Sequence, residues 1–257
     1  MDEGGNGESN TGLSLVLACY NEVPVLENSV REIVKTLEFT RMTYEMIFVD
    51  DCSRDGTPDL IRRIIESYPQ VRMKAVYHER NLGRGRAVAD GVREAAGEIV
   101  GFLDVDLEVH ARYIPACCLA IRDGAQVAVG ARVFKFVPHG LFRRFLSAAY
   151  ASLVRAILPV GGLTDTETGC KFFRRMSLLP ILDLVEDPGW FWDTETMVRC
   201  RLAGLSIVEI PCLYIRNPGN RSSVRVLRDS VTYLARLVAF RMLLGKTRRK
   251  TPGGAGG

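Results

Sequence analysis

Few of the residues that build common metal and redox sites are present. Three histidines and seven cysteines are scattered through 257 residues, and no two cysteines stand as C-x-x-C. That pattern argues against a zinc site or a disulfide framework and fits a reducing cytoplasm. Long apolar runs are missing too: uncharged stretches such as Phe145 to Val154 fall well short of the roughly 20 residues a membrane-spanning helix needs. The opening MDEGGNGESNTG lacks the basic start and apolar centre of a signal peptide, so residues 1–12 read as a disordered leader. Two nucleotide-binding fingerprints are incomplete. NLGRGRA has Gly83 and Gly85 but Val88 where the third dinucleotide glycine belongs, and GKT at 245–247 has Phe240 where the Walker glycine belongs. An EF-hand is excluded because, counting from Asp104 as the first loop position, Val109 occupies the sixth, where that loop needs glycine.

Negative charge is absent where positive charge gathers. The net charge is only +4, yet no acidic residue occurs from Arg132 to Thr164, and from Arg216 to Lys250 ten Lys and Arg face Asp229 alone. Such a half is built to meet anions, whether as a solvated face, on nucleic acid or on an anionic membrane. The motifs below favour the membrane and give no role to nucleic acid.

What is present is an alternation of strand and helix patterns. LSLVLAC (13–19), YEMIFVD (44–50), VRMKAVYH (71–78) and EIVGFLD (98–104) are short apolar runs. Between them Val25, Leu26, Val30, Ile33, Val34 and Leu37, then Leu60, Ile61, Ile64 and Ile65, fall at helical spacing. Thr57 and Pro58 read as the N-cap and first turn of the second helix. With 47% hydrophobic content the chain can fill one α/β core. The pattern predicts a mostly parallel sheet flanked by helices, with ligands beyond the carboxyl ends of its strands. YNE, DDCSRDG, ERNLGRGRA and DVDLE follow the four strands in turn, so all four loops converge on one crevice.

Asp104 and Asp106 at the end of a central strand would repel each other and lose hydration unless something positive neutralised them. A hard divalent cation held by one or two carboxylates and by substrate phosphates is the economical partner. The Gly83 turn before a helix offers N–H groups to an anion, with Arg84 and Arg86 able to add charge.

The ordered motifs ACYNE, FVDDCSRDGT, ERNLGRGRA, FLDVDLE, VGAR, DTETGCKFFRR, FWDTE and VEIPCLYIRN, running from residue 13 to about 225, resemble the family 2 glycosyltransferases of GT-A fold. Within that family they are similar to the polyprenyl-phosphate branch that includes dolichyl-phosphate mannose and glucose transferases. The resemblance implies a GT-A (Rossmann-like) α/β domain over 13–222, followed by an amphipathic helix over 223–245 and a basic, Gly-rich tail over 246–257. It implies a nucleotide site formed by Ala18, Tyr20, Asn21, Glu22, Asp50, Asp51, Gly83, Arg86, Asp104 and Val105, and a Mg²⁺ or Mn²⁺ ion on Asp104, Asp106 and Glu108. Glu108 stands where relatives often carry Gln. Asp106, Arg132 and Asp193 are the implied catalytic residues, and Arg132, Arg143 and Ser147 the implied holders of the acceptor phosphate. Lys171, Arg174 and Arg175 either add positive charge near that acceptor site or are surface charge.

By the same resemblance the chain moves one sugar, with inversion, from a GDP- or UDP-linked donor to a polyprenyl phosphate. A phosphate acceptor is already anionic and needs no general base, whereas a sugar hydroxyl does. Asp193 stands where hydroxyl-acceptor relatives place their base, but Trp192 replaces the Glu that usually precedes it. Asp193 therefore reads as an orienting residue, with a base as the alternative. Trp190, Phe191 and Trp192 are core aromatics or close over the donor. The Q-x-x-R-W motif of processive synthases is missing from the tail. Transfer to a sugar hydroxyl and a non-catalytic nucleotide-sugar-binding subunit are the other readings. The C-terminal helix, with Arg225, Arg228, Arg236 and Arg241 among apolar residues, either lies on an anionic membrane as a peripheral anchor or docks on the core or on another subunit of a homo-oligomer.

Overall fold

The computed structural model describes residues 11–134, 152, 154, 156–159, 161–216 and 226–250, with only the backbone described at 134, 226–232 and 246–250. Seven strands form one sheet in the order β3-β2-β1-β4-β6-β5-β7. They are β1 (Leu13–Cys19), β2 (Tyr44–Asp50), β3 (Arg72–Tyr77), β4 (Ile99–Leu103), β5 (Val127–Phe134), β6 (Cys170–Arg174) and β7 (Ile207–Tyr214). The first three and β4 pair in parallel, as the alternating pattern predicts. β6 enters between β4 and β5 and runs antiparallel to both.

The helices are α1 (Leu26–Glu38), α2 (Thr57–Ser67), α3 (Arg84–Arg93), α4 (Ile114–Arg122), α5 (Arg175–Leu182), α6 (Trp192–Leu202) and α7 (Val226–Lys250). Because side chains alternate along a strand, β1 feeds two cores. Leu13, Leu15 and Leu17 join the core that includes Leu26, Val30 and Ile33 of α1 and Cys117 of α4. Val16 joins the other, which includes Val88 of α3, Leu178 of α5, Met197 of α6 and Leu237 of α7. Both faces are covered, which explains why these strands read as continuous apolar runs rather than alternating ones.

Three boundaries differ from the pattern-based expectation. Thr11 and Gly12 belong to the domain: Gly12 N–H donates to Thr43 O at 3.0 Å, and Glu98 N–H donates to Thr11 O at 3.1 Å. Gly56 caps α2, leaving Thr57 as its first residue. The Thr57 hydroxyl is drawn instead to Glu22 N–H, 2.8 Å away, so it ties the loop after β1 to α2. The last helix continues past 245 to Lys250. Residues 1–10, Arg143, Ser147 and most of the basic stretch around them lie outside the described residues.

Candidate active site

The loops after β1, β2, β3 and β4 meet as expected, and backbone hydrogen bonds hold them in place. Asn21 adopts a left-handed φ of 59° and Cys52 one of 62°, a conformation Asn tolerates better than most residues. Asn21 N–H donates to Ser53 Oγ at 2.9 Å and its Oδ1 accepts from Arg54 N–H at 2.8 Å. Tyr20 is exposed, and Ala18 packs against the second core. Asp50 is buried; Ser53 N–H donates to its Oδ2 at 3.1 Å, while its Oδ1 has no hydrogen-bond partner.

The buried Asp51 carboxylate organises the Gly83 turn. It accepts from Leu82 N–H at 2.7 Å and Gly83 N–H at 2.8 Å, and lies 2.8 Å from His78 Nδ1. Gly83 has φ of 100°, and a Cβ there would stand 2.5 Å from Pro188 O, so only glycine fits this turn.

Arg84, the next residue, occupies the centre of the crevice. Its Nε and Nη2 donate to Asp104 Oδ1, at 3.0 and 2.5 Å, and its Nη1 to Asp193 Oδ2 at 2.5 Å. Its guanidinium lies 5.0 Å from the ring centroid of Trp190 and 5.5 Å from that of Phe102. The other oxygen of Asp193 accepts from Lys171 Nζ at 2.6 Å. Lys171 is fully buried on β6 and also donates to Thr168 O. Two cations therefore hold one buried carboxylate, an arrangement stable only while complete. Arg86 turns away and pairs with Asp90 at 2.7 Å along α3.

Asp104 rests directly on Gly169, where a Cβ would fall 1.7 Å from Oδ2, and its backbone N–H donates to Gly169 O at 2.9 Å. Val105 is buried. Asp106 Oδ1 accepts from Glu108 N–H at 3.2 Å, and Tyr214 donates its hydroxyl proton to Glu108 Oε2. Burial, with Asp106 and then Asp104 nearby, lifts the Glu22 carboxyl from 4.5 to about 7. The converging group is thus all carboxylate oxygen, a donor set suited to a hard divalent cation. Among the described residues no three His, Cys, Asp or Glu side chains form a ready metal cage. A cation here would need additional oxygens from elsewhere, such as a diphosphate.

Arg132 sits toward the β7 side of the crevice. Asp165 holds it bidentately, with Nε to Oδ2 at 2.5 Å and Nη2 to Oδ1 at 2.9 Å, and Glu167 Oε2 stands 3.6 Å from Nη2. The acid-free stretch that singles out Arg132 ends immediately before this partner.

Glycosyl transferase family 2 matches residues 14–181. The chain belongs to that family. A curated relative, glycosyltransferase AglD of Haloferax volcanii, is 33% identical over 223 residues, covering 84% of this chain and 35% of AglD, so the chain spans about a third of that relative's length. The dolichyl-phosphate beta-glucosyltransferase ALG5A of Trichomonas vaginalis is 27% identical over 244 residues, covering 89% of this chain and 73% of ALG5A. The mannosyltransferase PcManGT of Pyrobaculum calidifontis, solved with GDP-Man and Mn²⁺, superposes with a TM-score of 0.62 at 19% identity, over 97% of this chain and 67% of PcManGT. The fold of this family 2 member is accordingly GT-A.

Three residues central to this geometry were weakly marked in the sequence. Arg84 read only as added charge beside Arg86, and nothing in NLGRGRA tells which of the two faces inward. Lys171 carried one available signal, a lysine inside the apolar strand CKFF. Asp165 carried none, because its partner lies 33 residues earlier on another strand. Of the aromatic trio, Phe191 and Trp192 are core residues and Trp190 is half exposed over Arg84. Arg174 pairs with Glu98 at 3.1 Å, beyond the start of β4 and away from the crevice.

Proposed function

We propose that this family 2 glycosyltransferase moves a single sugar, with inversion, from a GDP- or UDP-linked donor to a polyprenyl phosphate at the cytoplasmic face of a membrane. The observation that carries the acceptor class is the state of Asp193. Both its oxygens already accept from cations, Arg84 on one side and Lys171 on the other. A carboxylate held in this way orients its neighbours and is poorly placed to take a hydroxyl proton. An acceptor that arrives ionised, such as a phosphate monoester, needs no such base. The likeness to ALG5A over most of both chains supports the same class.

Glu22, Asp104 and Asp106 face the donor diphosphate, with Asp104 and Asp106 the holders of Mg²⁺ or Mn²⁺. When bound, that cation supplies Lewis-acid stabilisation of the departing nucleoside diphosphate. The Gly83 turn and the Asn21 loop shape the nucleotide pocket, and Arg84 adds positive charge beside the phosphates. Arg132, oriented by Asp165, turns its guanidinium to the acceptor phosphate; Arg143 and Ser147, which the family resemblance gives the same role, lie outside the described residues.

The inner face of α7 docks through buried Leu237 and Phe240, while Leu234, Val238 and Met242 stay exposed at i, i+4 and i+8. Among the described residues no helix is long and apolar enough to cross a membrane. The outward stripe, on a segment rich in Arg, suits an anionic membrane surface. The deciding experiment is transfer from a panel of GDP- and UDP-sugars to a short polyprenyl phosphate with Mg²⁺ or Mn²⁺, reading sugar in the organic phase with Asp106→Ala as blank. A metal-dependent signal from one donor is expected. Silence across the panel with nucleotide-sugar binding intact would overturn the acceptor class.

A further inference from the structure

His78 stands where the end of β3, the loop after β2 and the middle of α3 meet. It follows the last residue of β3, and its backbone N–H donates to Asp50 O at 2.9 Å, continuing the β2–β3 ladder by one residue. Its imidazole is thereby fixed between two carboxylates. Nδ1 lies 2.8 Å from Asp51 Oδ1, Nε2 lies 3.4 Å from Asp90 Oδ2, and the side chain is only 7% exposed, so water is poorly placed to substitute for it.

The partner decides which ring nitrogen carries the proton. Asp51 already accepts from Leu82 N–H at 2.7 Å and from Gly83 N–H at 2.8 Å, and an ionised carboxylate only accepts. Nδ1 is therefore the nitrogen that donates to Asp51. Nε2 makes no hydrogen bond among the described residues, and Asp90 is held independently by Arg86 at 2.7 Å and Arg93 at 3.1 Å. The contact with consequences is thus the one at Nδ1, and those consequences extend past Asp51. Asp51 anchors the Gly83 turn on one side, while Arg86 N–H donates to Pro188 O at 3.0 Å on the other. Arg84, between these two anchors in sequence, enters the crevice.

We infer that His78 is a positioning residue for the nucleotide: through Nδ1–H it holds Asp51, and through Asp51 the Gly83 turn, in the shape that receives the donor. This rests on the placing of Asp51 and Gly83 in the nucleotide pocket. An asparagine amide nitrogen stands near Nδ1 of the imidazole it replaces, whereas that of glutamine, one carbon further out, stands near Nε2. His78→Asn therefore keeps the donor to Asp51 and His78→Gln loses it, although both side chains are neutral and polar.

The test is calorimetric titration of the full chain with UDP and with GDP, each with Mg²⁺, with thermal midpoints measured alongside. His78→Gln is expected to weaken nucleotide binding about tenfold, the scale of one hydrogen bond to a charged group, while His78→Asn stays within about twofold of wild type. A purely structural role would lower the thermal midpoint of both variants and leave nucleotide affinity unmoved. Wild-type affinity in His78→Gln, or equal weakening in the two variants, would overturn the positioning role while leaving the nucleotide pocket in place. If wild-type protein binds neither nucleotide, the pocket assignment itself fails and the role falls with it.

Discussion

Replacing Glu22 with glutamine tests the central electrostatic feature of the site, three carboxylates brought together with too little positive charge between them. Burial, Asp106 and Asp104 raise the Glu22 carboxyl from 4.5 to about 7. Between those two values the folded protein binds a proton the unfolded chain has already released. Stability contributed by that proton is therefore full below pH 4.5 and is lost as pH rises through 7. A shift of this size corresponds to about 3 kcal/mol, and screening at the partly open crevice brings the expected effect to about 2 kcal/mol between pH 5 and pH 8. Glutamine does not titrate, so the variant gains on the wild type by that amount as pH rises. Other groups, including Glu45 with its lowered pKa, are common to both proteins and cancel in the difference. The assay is urea unfolding at pH 5 and 8 in the presence of a chelator. Parallel pH dependences for the two proteins would refute the reasoning. Repeating the measurement with Mg²⁺ should shrink the difference, because a cation on Asp104 and Asp106 relieves the repulsion that Glu22 senses.

Two further substitutions probe the packing behind the site. Gly169→Ala places a methyl group 1.7 Å from Asp104 Oδ2, so Asp104 must swing away from Arg84; transfer should fall by about a hundredfold, as expected when a reacting geometry is displaced by an ångström. Since that side chain is 39% exposed, a thermal midpoint within a few degrees of wild type should accompany the loss, and retained activity would count against the placement of Asp104. Lys171→Met removes one of the two cations that hold the buried Asp193 and should cost about 3–5 kcal/mol of unfolding free energy. A loss under about 1 kcal/mol in urea unfolding would show that Arg84 alone compensates Asp193.

The local chemistry of the first half was legible in the sequence. Apolar runs of five to eight residues ending in polar clusters specify strands and loops by short-range rules, and the parallel arrangement follows because each strand is followed by a helix that must return it. Converging loops and paired carboxylates at Asp104 and Asp106 follow from that order alone. Antiparallel β6 did not, because a strand inserted between β4 and β5 is chosen by pairing partners distant in sequence and not by its own pattern.

Side-chain partnerships were decided only by the tertiary structure. Arg84 and Arg86 are one residue apart on either side of a glycine, and the turn of α3 alone sends the first to Asp104 and Asp193 and the second to Asp90 on the surface. Lys171, Asp165 and Tyr233 meet partners 22, 33 and 39 positions away, and such pairings depend on the packing of whole elements. The sequence by itself determined which elements form and which charges gather at their ends. Which charge meets which, and hence that Asp193 is held rather than free, was decided by the docking of α3, β6 and α6, where burial makes an unpaired charge too costly to keep.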